Sequence, residues 1–360
     1  MQLFIALKTG TDPEPLDDEV AQENQKEDKY SRESLDKQLN ESLDKTVLTN
    51  KPNVAWDDVA GLAEAKMELQ IAAEMPKKFP QLFRGKREPQ RFILLYGPPG
   101  TGKGQLIKAL ASGVNSTLFT ISSSDVQSKW VGESERLVRL VFERARKEKP
   151  SMIFIDEIEA LCGIRDSNSS SEHDNRVKTE FLVQMDGVSQ DNNGILFIAA
   201  TNLPWILDPA IIRRFRKRIY IPLPDEEARK RLFEIHVGET CCDVSTEDYA
   251  EFARRTEGFS GSDISNVVQE ALMEPMKKIF KAEYFCYVLS HGKRGLAPCQ
   301  LGQQGAAALN WRDIPSYQLL EPAVAKEDFY NALAKAKPTV NKELLQDHCR
   351  WTEKYGKDGA

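Results

Sequence analysis

The residues with the most evident chemistry lie in the segment Gly97–Gly104, which reads GPPGTGKG. Its small residues allow the backbone to curl so that N–H groups converge on phosphate oxygens, and Lys103 adds a mobile positive charge. A phosphate-binding loop also requires Ser or Thr after the lysine, where the hydroxyl contacts Mg²⁺, and Gly104 stands there instead. The sequence therefore predicts nucleotide binding with a weakened metal site; a plain Gly/Pro-rich turn is the alternative. The candidate phosphate contacts are Gly97, Pro98, Pro99, Gly100, Thr101, Gly102, Lys103 and Gly104.

Two carboxylates, Asp156 and Glu157, end the apolar segment Met152–Ile155 further along the chain. In a parallel sheet this places both acids at the carboxyl end of a strand, beside the phosphate loop. Phosphoryl transfer depends on positioning and on neutralisation of charge, so the pair indicates the metal and water end of a nucleotide-hydrolysing site. A solvated turn is the alternative.

To bring these residues together, the strands that precede them must lie in one parallel sheet and end beside the phosphate loop. Apolar segments predict strands at Arg91–Tyr96, Thr117–Ile121, Met152–Asp156, Ile195–Thr201 and Arg218–Ile221. Helical patterns lie between them, notably at 133–147 and 176–185. Strands that alternate with helices indicate a doubly wound α/β domain, which we place at residues 51–224.

Helical patterns dominate after residue 224 and predict a smaller helical domain over residues 225–337. A segment rich in Gly, Pro and Gln interrupts this domain at 283–322, where we expect an insert of two or three short strands. A C-terminal helix and tail are predicted at 338–360. The helical patterns are at 225–237, 246–256, 262–280, 325–337 and 341–355.

Charge and apolar content exclude several classes of function. The chain has 49 Lys and Arg against 55 Asp and Glu, a net charge of −6, which argues against wholesale nucleic-acid binding. The longest apolar segments are strand-sized, so we expect peripheral membrane association through partners only. Residues 1–50, polar and charged from residue 8 onward, are predicted to be a disordered linker. The six cysteines have no metal-ligand spacing and are interpreted as reduced cytosolic thiols.

Several motifs together resemble the AAA ATPases of the meiotic subfamily. Besides the phosphate loop and the strand that ends in Asp156, they are WDDVAGL at 56–62, SSSD at 122–125, KWVGESE at 129–135, ATN at 200–202, RRF at 213–215, RIYIPLP at 218–224, GFSGSDI at 258–264 and KPTVN at 337–341. The resemblance runs from about Lys51 to the C-terminus. The strand insert and the final helix indicate the branch that disassembles ESCRT-III polymers, since katanin and spastin lack the insert.

The resemblance implies a role for each matching residue of the hydrolytic site. Asp156 holds Mg²⁺, and Glu157 activates the attacking water. Asn202 resembles the sensor that orients this water or contacts the γ-phosphate. Arg213 and Arg214 resemble arginine fingers, which contact the nucleotide of a neighbouring subunit through planar, always charged guanidinium groups.

The resemblance also implies contacts with the base of ATP and with a polypeptide substrate. The base contacts outside the phosphate loop are Asp58, Ala60, Gly61, His236, Gly261 and Ser262. For His236, a structural role in its helix is the alternative. Lys129, Trp130 and Val131 match the first pore loop of a hexameric ring, where aromatic side chains intercalate along an extended polypeptide; burial of Trp130 is the alternative. A second pore loop corresponds to 166–175.

The implied function is that of a ring-forming ATPase, a homo-hexamer or a mixed ring, that uses ATP and Mg²⁺ to pull subunits out of ESCRT-III polymers. The implied location is the cytoplasm and the surface of endosomal membranes, with an activator bound to the strand insert. The resemblance further implies an N-terminal microtubule-interacting and transport domain, for which residues 1–50 are too short and polar. Because Gly104 lacks the hydroxyl, a weakly active or inactive structural subunit of a mixed AAA ring is one alternative; a microtubule-severing ATPase is another.

Overall fold

The computed structural model describes residues 47–48, 53–114, 116–122, 134–163, 172–186, 192–290, 293–320 and 322–356. The chain separates into two units, Met1–Leu48 and Thr49–Ala360. In the first unit the described part is the two-residue strand Val47–Leu48. The predicted linker thus lies almost wholly outside the described residues, as do Lys129, Trp130 and Val131 and most of the second pore loop.

The described residues of the second unit form a parallel sheet of five strands in the order β2-β3-β4-β1-β5. The strands are β1 Phe92–Tyr96, β2 Thr117–Ser122, β3 Ser151–Asp156, β4 Ile195–Thr201 and β5 Lys217–Tyr220. Each predicted strand is confirmed, with ends that agree to within one residue. All 7 residues of β4 are buried, which is typical of a sheet that has helices on both faces.

The helices of the α/β region cover both faces of this sheet. They are α1 Ala63–Ala73, α2 Met75–Lys78, α3 Lys103–Gly113, α4 Ser134–Lys147, α5 Glu159–Cys162, α6 Glu172–Asp186 and α7 Pro209–Arg214. Residues of α1 and α3 pack on one face of the sheet. On the other face the Phe197 ring of β4 stacks on Phe142 of α4 and on Phe215, with ring centroids 5.5 and 5.8 Å apart. The doubly wound fold is confirmed.

The helical region is built from α8 Glu226–Val237, α9 Thr246–Arg255, α10 Gly261–Lys281 and α11 Lys326–Lys335. Its core includes Phe252 and Phe329, stacked with centroids 4.9 Å apart. Two strands of two residues each, β6 Cys242–Asp243 and β10 Val324–Ala325, were not predicted from the sequence. They pair in parallel and join the segment after α8 to the start of α11. This pairing fixes the start of α11 beside α8 and α9.

The insert predicted at 283–322 contains short strands, as expected. They are β7 Tyr284–Ser290, β8 Lys293–Cys299 and β9 Ala307–Ala308. The first two form an antiparallel pair, and β9 pairs with the start of β7. Phe285, fully buried, packs with Leu296 and Ile279 and so fixes the insert to the end of α10.

The last described helix, α12 Lys342–Tyr355, packs on the α/β region rather than on the helical region that precedes it. The ring of Trp351 lies 4.4 Å from that of Tyr96, the last residue of β1. The Tyr96 hydroxyl also lies 3.0 Å from the Thr352 hydroxyl. Arg218 donates to the backbone carbonyl of Tyr355 at 2.8 Å. The sequence predicted this helix but not its position beside the strand that leads into the phosphate loop.

Among the described residues, no helix is both long and apolar enough to cross a membrane.

Candidate functional site

The phosphate loop follows β1 and leads into α3, as the sequence predicted. Two of its glycines have positive φ angles and stand where no side chain fits. A Cβ at Gly97 would collide with the backbone oxygen of Ile221, and one at Gly100 would lie 2.7 Å from the Ser260 hydroxyl. Glycine is therefore required at both positions, because the sheet and the helical region approach the loop so closely.

Lys103 begins α3 and lies inside the curve of the loop, with 6% of its surface exposed. Its ammonium group donates to the backbone carbonyls of Gly97 at 2.9 Å and Pro98 at 2.8 Å. Burial lowers the pKa of Lys103 to about 8, while the negative charges of Asp156 and Glu159 act in the opposite direction. A phosphate group beside this lysine would raise its pKa again, so binding of an anion would keep the ammonium group charged.

Asp156 and Glu157 lie where β3 ends, at the same edge of the sheet as the phosphate loop. One carboxylate oxygen of Asp156 accepts the backbone N–H of Glu157 at 3.0 Å. Glu157 has a φ of +52°, which is uncommon for a residue other than glycine. This conformation turns the chain sharply after the strand and leaves the Glu157 side chain exposed at the sheet edge. Such strained positions occur mainly at functional sites.

Asn202 follows β4, and the sheet register places it at this edge as well. Thr201, just before it, pairs with Tyr96 and accepts the backbone N–H of Gly97 on its carbonyl at 3.3 Å. The backbone N–H of Asn202 donates to Oε1 of Glu159 at 3.1 Å. The structure therefore brings the phosphate loop, the two carboxylates and the candidate sensor together.

Arg213 and Arg214 lie at the opposite edge of the sheet. They end α7, immediately before β5, whose first residue Lys217 pairs with Ile93 near the start of β1. The phosphate loop begins four residues beyond Ile93, about 13 Å along the strand. The arginines thus face away from the phosphate loop of their own chain.

The two arginines differ in their surroundings. Arg214 forms a bidentate ion pair with Asp186, with contacts of 2.6 and 2.7 Å. Arg213 and Arg214 line a cavity of about 520 Å³ together with Arg216 and Arg91. Glu88 and Asp186 also line this cavity, so its four arginines leave it a net positive charge at the edge opposite the phosphate loop.

The residues proposed for the base of ATP line a single cavity of about 870 Å³ between the α/β and helical regions. This volume lies within the range of small-molecule sites. Burial lowers the pKa of His236, so its imidazole is neutral near pH 7 and adds no positive charge to the cavity proposed for the base of ATP. The backbone N–H of Ser262 donates to the carbonyl of Gly100 at 3.1 Å and joins the helical region to the loop. The lining includes Asp58, Ala60, Gly61, Gly100, Thr101, Gly102, His236, Gly261 and Ser262.

The donor set near the loop fits a magnesium ion that arrives with a nucleotide. Within the described ranges, no group of three His, Cys, Asp or Glu side chains is arranged to hold a metal ion alone. Magnesium usually keeps several waters and takes one or two carboxylates plus substrate phosphates, so Asp156 is a sufficient protein ligand. A Cβ at Gly104 would meet no atom within 4 Å, which leaves room for a water in place of the missing hydroxyl.

Sequence reasoning missed two residues of this site. Glu159 follows the carboxylate pair closely and contacts Asn202, but nothing in its spacing distinguished it from a solvated glutamate. His348 comes from α12 and lies fully buried against Trp205, with ring centroids 5.0 Å apart. Only the position of α12, which depends on long-range packing, identifies this residue.

Three family models match the chain. The ATPase family associated with various cellular activities (AAA) matches residues 93–223, the AAA+ lid domain matches 246–285, and the Vps4 C terminal oligomerisation domain matches 296–356. The last match shows that this region belongs to a module for self-assembly, and the AAA match shows that the chain binds nucleotide.

Similar proteins extend these matches over most of the chain. Vacuolar protein sorting-associated protein 4B of Mus musculus is 50% identical over 332 residues, which cover 90% of this chain and 74% of that protein. Vacuolar protein sorting-associated protein 4 of Dictyostelium discoideum is 46% identical and covers 93% of this chain and 77% of its own length. The solved structure of the FIGL-1 AAA domain has a TM-score of 0.73 at 35% identity and covers 89% of this chain and 96% of that domain. The chain therefore belongs to the vacuolar protein sorting-associated protein 4 family of AAA ATPases.

Proposed function

We propose that this chain is a ring-forming, Mg-ATP-driven ATPase that pulls subunits out of ESCRT-III polymers at endosomal membranes. One observation carries the proposal: Glu157 and Arg213 lie at opposite edges of the same sheet. A complete hydrolytic site then needs the phosphate loop and carboxylates of one subunit and the arginines of the next. Closed rings provide such head-to-tail contacts between all their subunits.

Each residue at the phosphate edge has a distinct task in this proposal. The backbone N–H groups of the loop and the ammonium of Lys103 bind the phosphates and offset their charge. Asp156 would hold Mg²⁺, which would supply positive charge to neutralise the phosphate oxygens. The Glu157 carboxylate accepts a proton from the attacking water, and the Asn202 side chain orients that water. The neighbouring subunit's Arg213 and Arg214 stabilise the charge that develops in the transition state.

The family relationship supports the assignment of substrate and location. The relatives named above are vacuolar protein sorting proteins, which favours endosomal sorting over microtubule severing. We assign Lys129, Trp130 and Val131 to a pore loop that contacts the extended substrate, and the strand insert to an activator. The exposed side chains of Tyr287, Leu289 and Tyr317 make the insert suitable for a protein partner. Gly104 favours the second candidate, a weakly active structural subunit of a mixed ring.

Mixing two inactive variants tests the shared site. We expect Glu157→Gln and Arg213→Ala each to hydrolyse ATP very slowly alone, because every interface then lacks one essential group. In a 1:1 mixture an intact interface forms wherever an Arg213→Ala subunit offers its Glu157 to the Arg213 of a Glu157→Gln neighbour. Random assembly makes about a quarter of the interfaces intact, so the mixture is expected to recover up to about a quarter of the parental rate.

The control for this experiment is a mixture of Glu157→Gln with Lys103→Ala, whose two defects both lie at the phosphate edge. Every subunit in this mixture lacks one essential group at its own phosphate edge, so random assembly produces no intact interface. If only the first mixture recovers ATPase activity, the result supports a site shared between neighbouring subunits. Equal rates in both mixtures, or a rate per subunit that does not depend on protein concentration, contradict it.

Trp130→Ala tests the assignment of the pore loop. We expect the variant to lose ATP-dependent disassembly of ESCRT-III filaments while its affinity for nucleotide stays at the parental level. Trp130→Phe, which keeps an aromatic ring for intercalation, is expected to retain most of the disassembly rate. The alternative is that Trp130 is part of a core; truncation would then cost about 3–5 kcal/mol of folding free energy. A large drop in melting temperature for Trp130→Ala therefore rules out the pore-loop assignment.

A further inference from the structure

The backbone of Asn202 is held on one side by a carboxylate. Oε1 of Glu159 accepts its N–H at 3.1 Å, and this bond fixes the orientation of the peptide from which the amide side chain extends. Oε2 of the same carboxylate is shielded from solvent and has no hydrogen-bond partner among the described residues. The negative charge of Glu159 acts on Lys103, so this carboxylate lies near the phosphate loop as well as near Asn202.

The segment that follows Asn202 packs against His348 of α12. The imidazole is fully buried, packs edge-on against Trp205 at 5.0 Å, and lies 6.0 Å from the ring of Tyr220. Trp205 belongs to the short helix Pro204–Ile206, which begins two residues after Asn202. Within the described part of the chain, neither ring nitrogen of His348 has a well-formed hydrogen bond, but the backbone of Asn202 lies close enough to interact with the ring.

A buried imidazole without well-formed hydrogen bonds lowers stability, because the contact with the Asn202 backbone replaces only part of the lost hydration. A leucine would fill much of the same space without this cost. Burial, together with the charge of Lys103, lowers the pKa of His348 to about 4, so the ring is neutral at physiological pH. His348 thus contributes shape and a dipole beside Asn202 rather than a charge.

We propose that Glu159 and His348 are positioning residues for Asn202, one through a hydrogen bond to its backbone and the other through contact with the segment that follows it. Glu159 fixes the backbone through its hydrogen bond, and His348 fixes the Trp205 segment, which follows the end of β4, through its ring contact. Because His348 belongs to α12, the position of that helix is transmitted to the residue that orients the attacking water. The inference rests on the proposed role of Asn202.

A double-mutant cycle tests the first contact. We expect Glu159→Ala to lower kcat about ten- to a hundredfold, since a displacement of 1 Å can cost about a hundredfold, while KM for ATP changes little. Glu159→Gln keeps an oxygen that accepts the Asn202 N–H and is expected to restore kcat to within a few-fold of the parent. The double variant Glu159→Ala with Asn202→Ala should be no slower than Asn202→Ala alone. Glu257→Ala, an exposed glutamate in a turn of the helical region, is the matched control.

His348→Leu tests the second contact through two readouts that move in opposite directions. Removal of the two ring nitrogens, which lack well-formed hydrogen bonds, is expected to raise the melting temperature, whereas loss of the imidazole beside Asn202 and the Trp205 segment is expected to lower kcat. A purely structural role for His348 would change both in the same direction. Combined with Asn202→Ala, the His348 substitution should have no additional effect on kcat.

The outcomes separate this inference from the proposed function. If Asn202→Ala hydrolyses ATP at the parental rate, the role proposed for Asn202 is wrong. If Asn202→Ala is slow but Glu159→Ala and His348→Leu keep the parental kcat, the positioning role alone is wrong. If Glu159→Gln is as slow as Glu159→Ala, the charge of Glu159 matters rather than its hydrogen bond, and that result also overturns the inference.

Discussion

Glu157→Gln is expected to lower the rate of ATP hydrolysis by about 10²–10⁴-fold, the usual contribution of a positioned general base. The amide has nearly the same shape as the carboxylate but cannot accept the proton of the attacking water. Because the phosphate loop and Lys103 are unchanged, ATP still binds and remains intact in the site. The neighbouring subunit's arginines then stay in contact with a γ-phosphate, so the ring is stabilised.

Two measurements check this prediction. Light scattering in the presence of ATP and Mg²⁺ should show a much larger particle for Glu157→Gln than the same protein gives without nucleotide. A steady-state ATPase assay of the same samples gives the loss of rate. Glu257→Gln, which changes an exposed glutamate in a turn of the helical region, serves as the matched control and should behave like the parent. Parental hydrolysis by Glu157→Gln would show that Glu157 is not the base.

Gly104→Thr is expected to raise the Mg²⁺-dependent rate of hydrolysis about ten- to a hundredfold. A polar contact to a charged centre contributes about 1.5–3 kcal/mol, and each 1.36 kcal/mol corresponds to a tenfold change in rate. The structure accommodates the new side chain, because a Cβ at Gly104 meets no atom within 4 Å. Affinity for nucleotide without metal should stay nearly unchanged, since the loop binds phosphates through backbone N–H groups and Lys103.

Gly104→Ala is the matched control for this gain. Alanine improves the start of α3 by up to about 1 kcal/mol, as threonine does in part, but brings no hydroxyl to the metal. We therefore expect a higher melting temperature for both variants and a higher ATPase rate for threonine alone. The rate is measured against Mg²⁺ concentration for all three proteins. Curves that superimpose would show that the hydroxyl is dispensable in this chain.

The sequence predicted the strands and the phosphate loop well because their signals are local. A short, continuous apolar segment such as Ile195–Thr201 indicates a buried strand in an alternating α/β chain. The residues proposed for the base of ATP, which are far apart in sequence, also lie around one cavity. Their roles, like the domain boundaries proposed at 51–224, 225–337 and 338–360, remain predictions.

The parts that could not be predicted depend on packing between distant segments. The contact of Trp351 with Tyr96 joins residues that no periodic pattern connects, and the aromatic residues of α12 are equally suited to any apolar surface. No sequence pattern marked His348 as part of the site, because a histidine on a helix usually has a structural role. Glu159 differs from other acidic residues only in that its side chain turns back to the end of β4, which is a property of the folded backbone.

The contact between α12 and Tyr96 also has a consequence for protein synthesis. Tyr96 is fully buried and immediately precedes the phosphate loop, yet α12, which helps to cover it, follows every other described element in the sequence. A ribosome therefore completes the sheet, the loop and the helical region before the cover for Tyr96 exists. Until then, Tyr96 and the nearby rings of Trp205 and Tyr220 form an aromatic surface at the end of β1. Exposed surfaces of this kind bind chaperones and aggregate. A prematurely terminated polypeptide that lacks α12 would thus leave this aromatic surface exposed to chaperones.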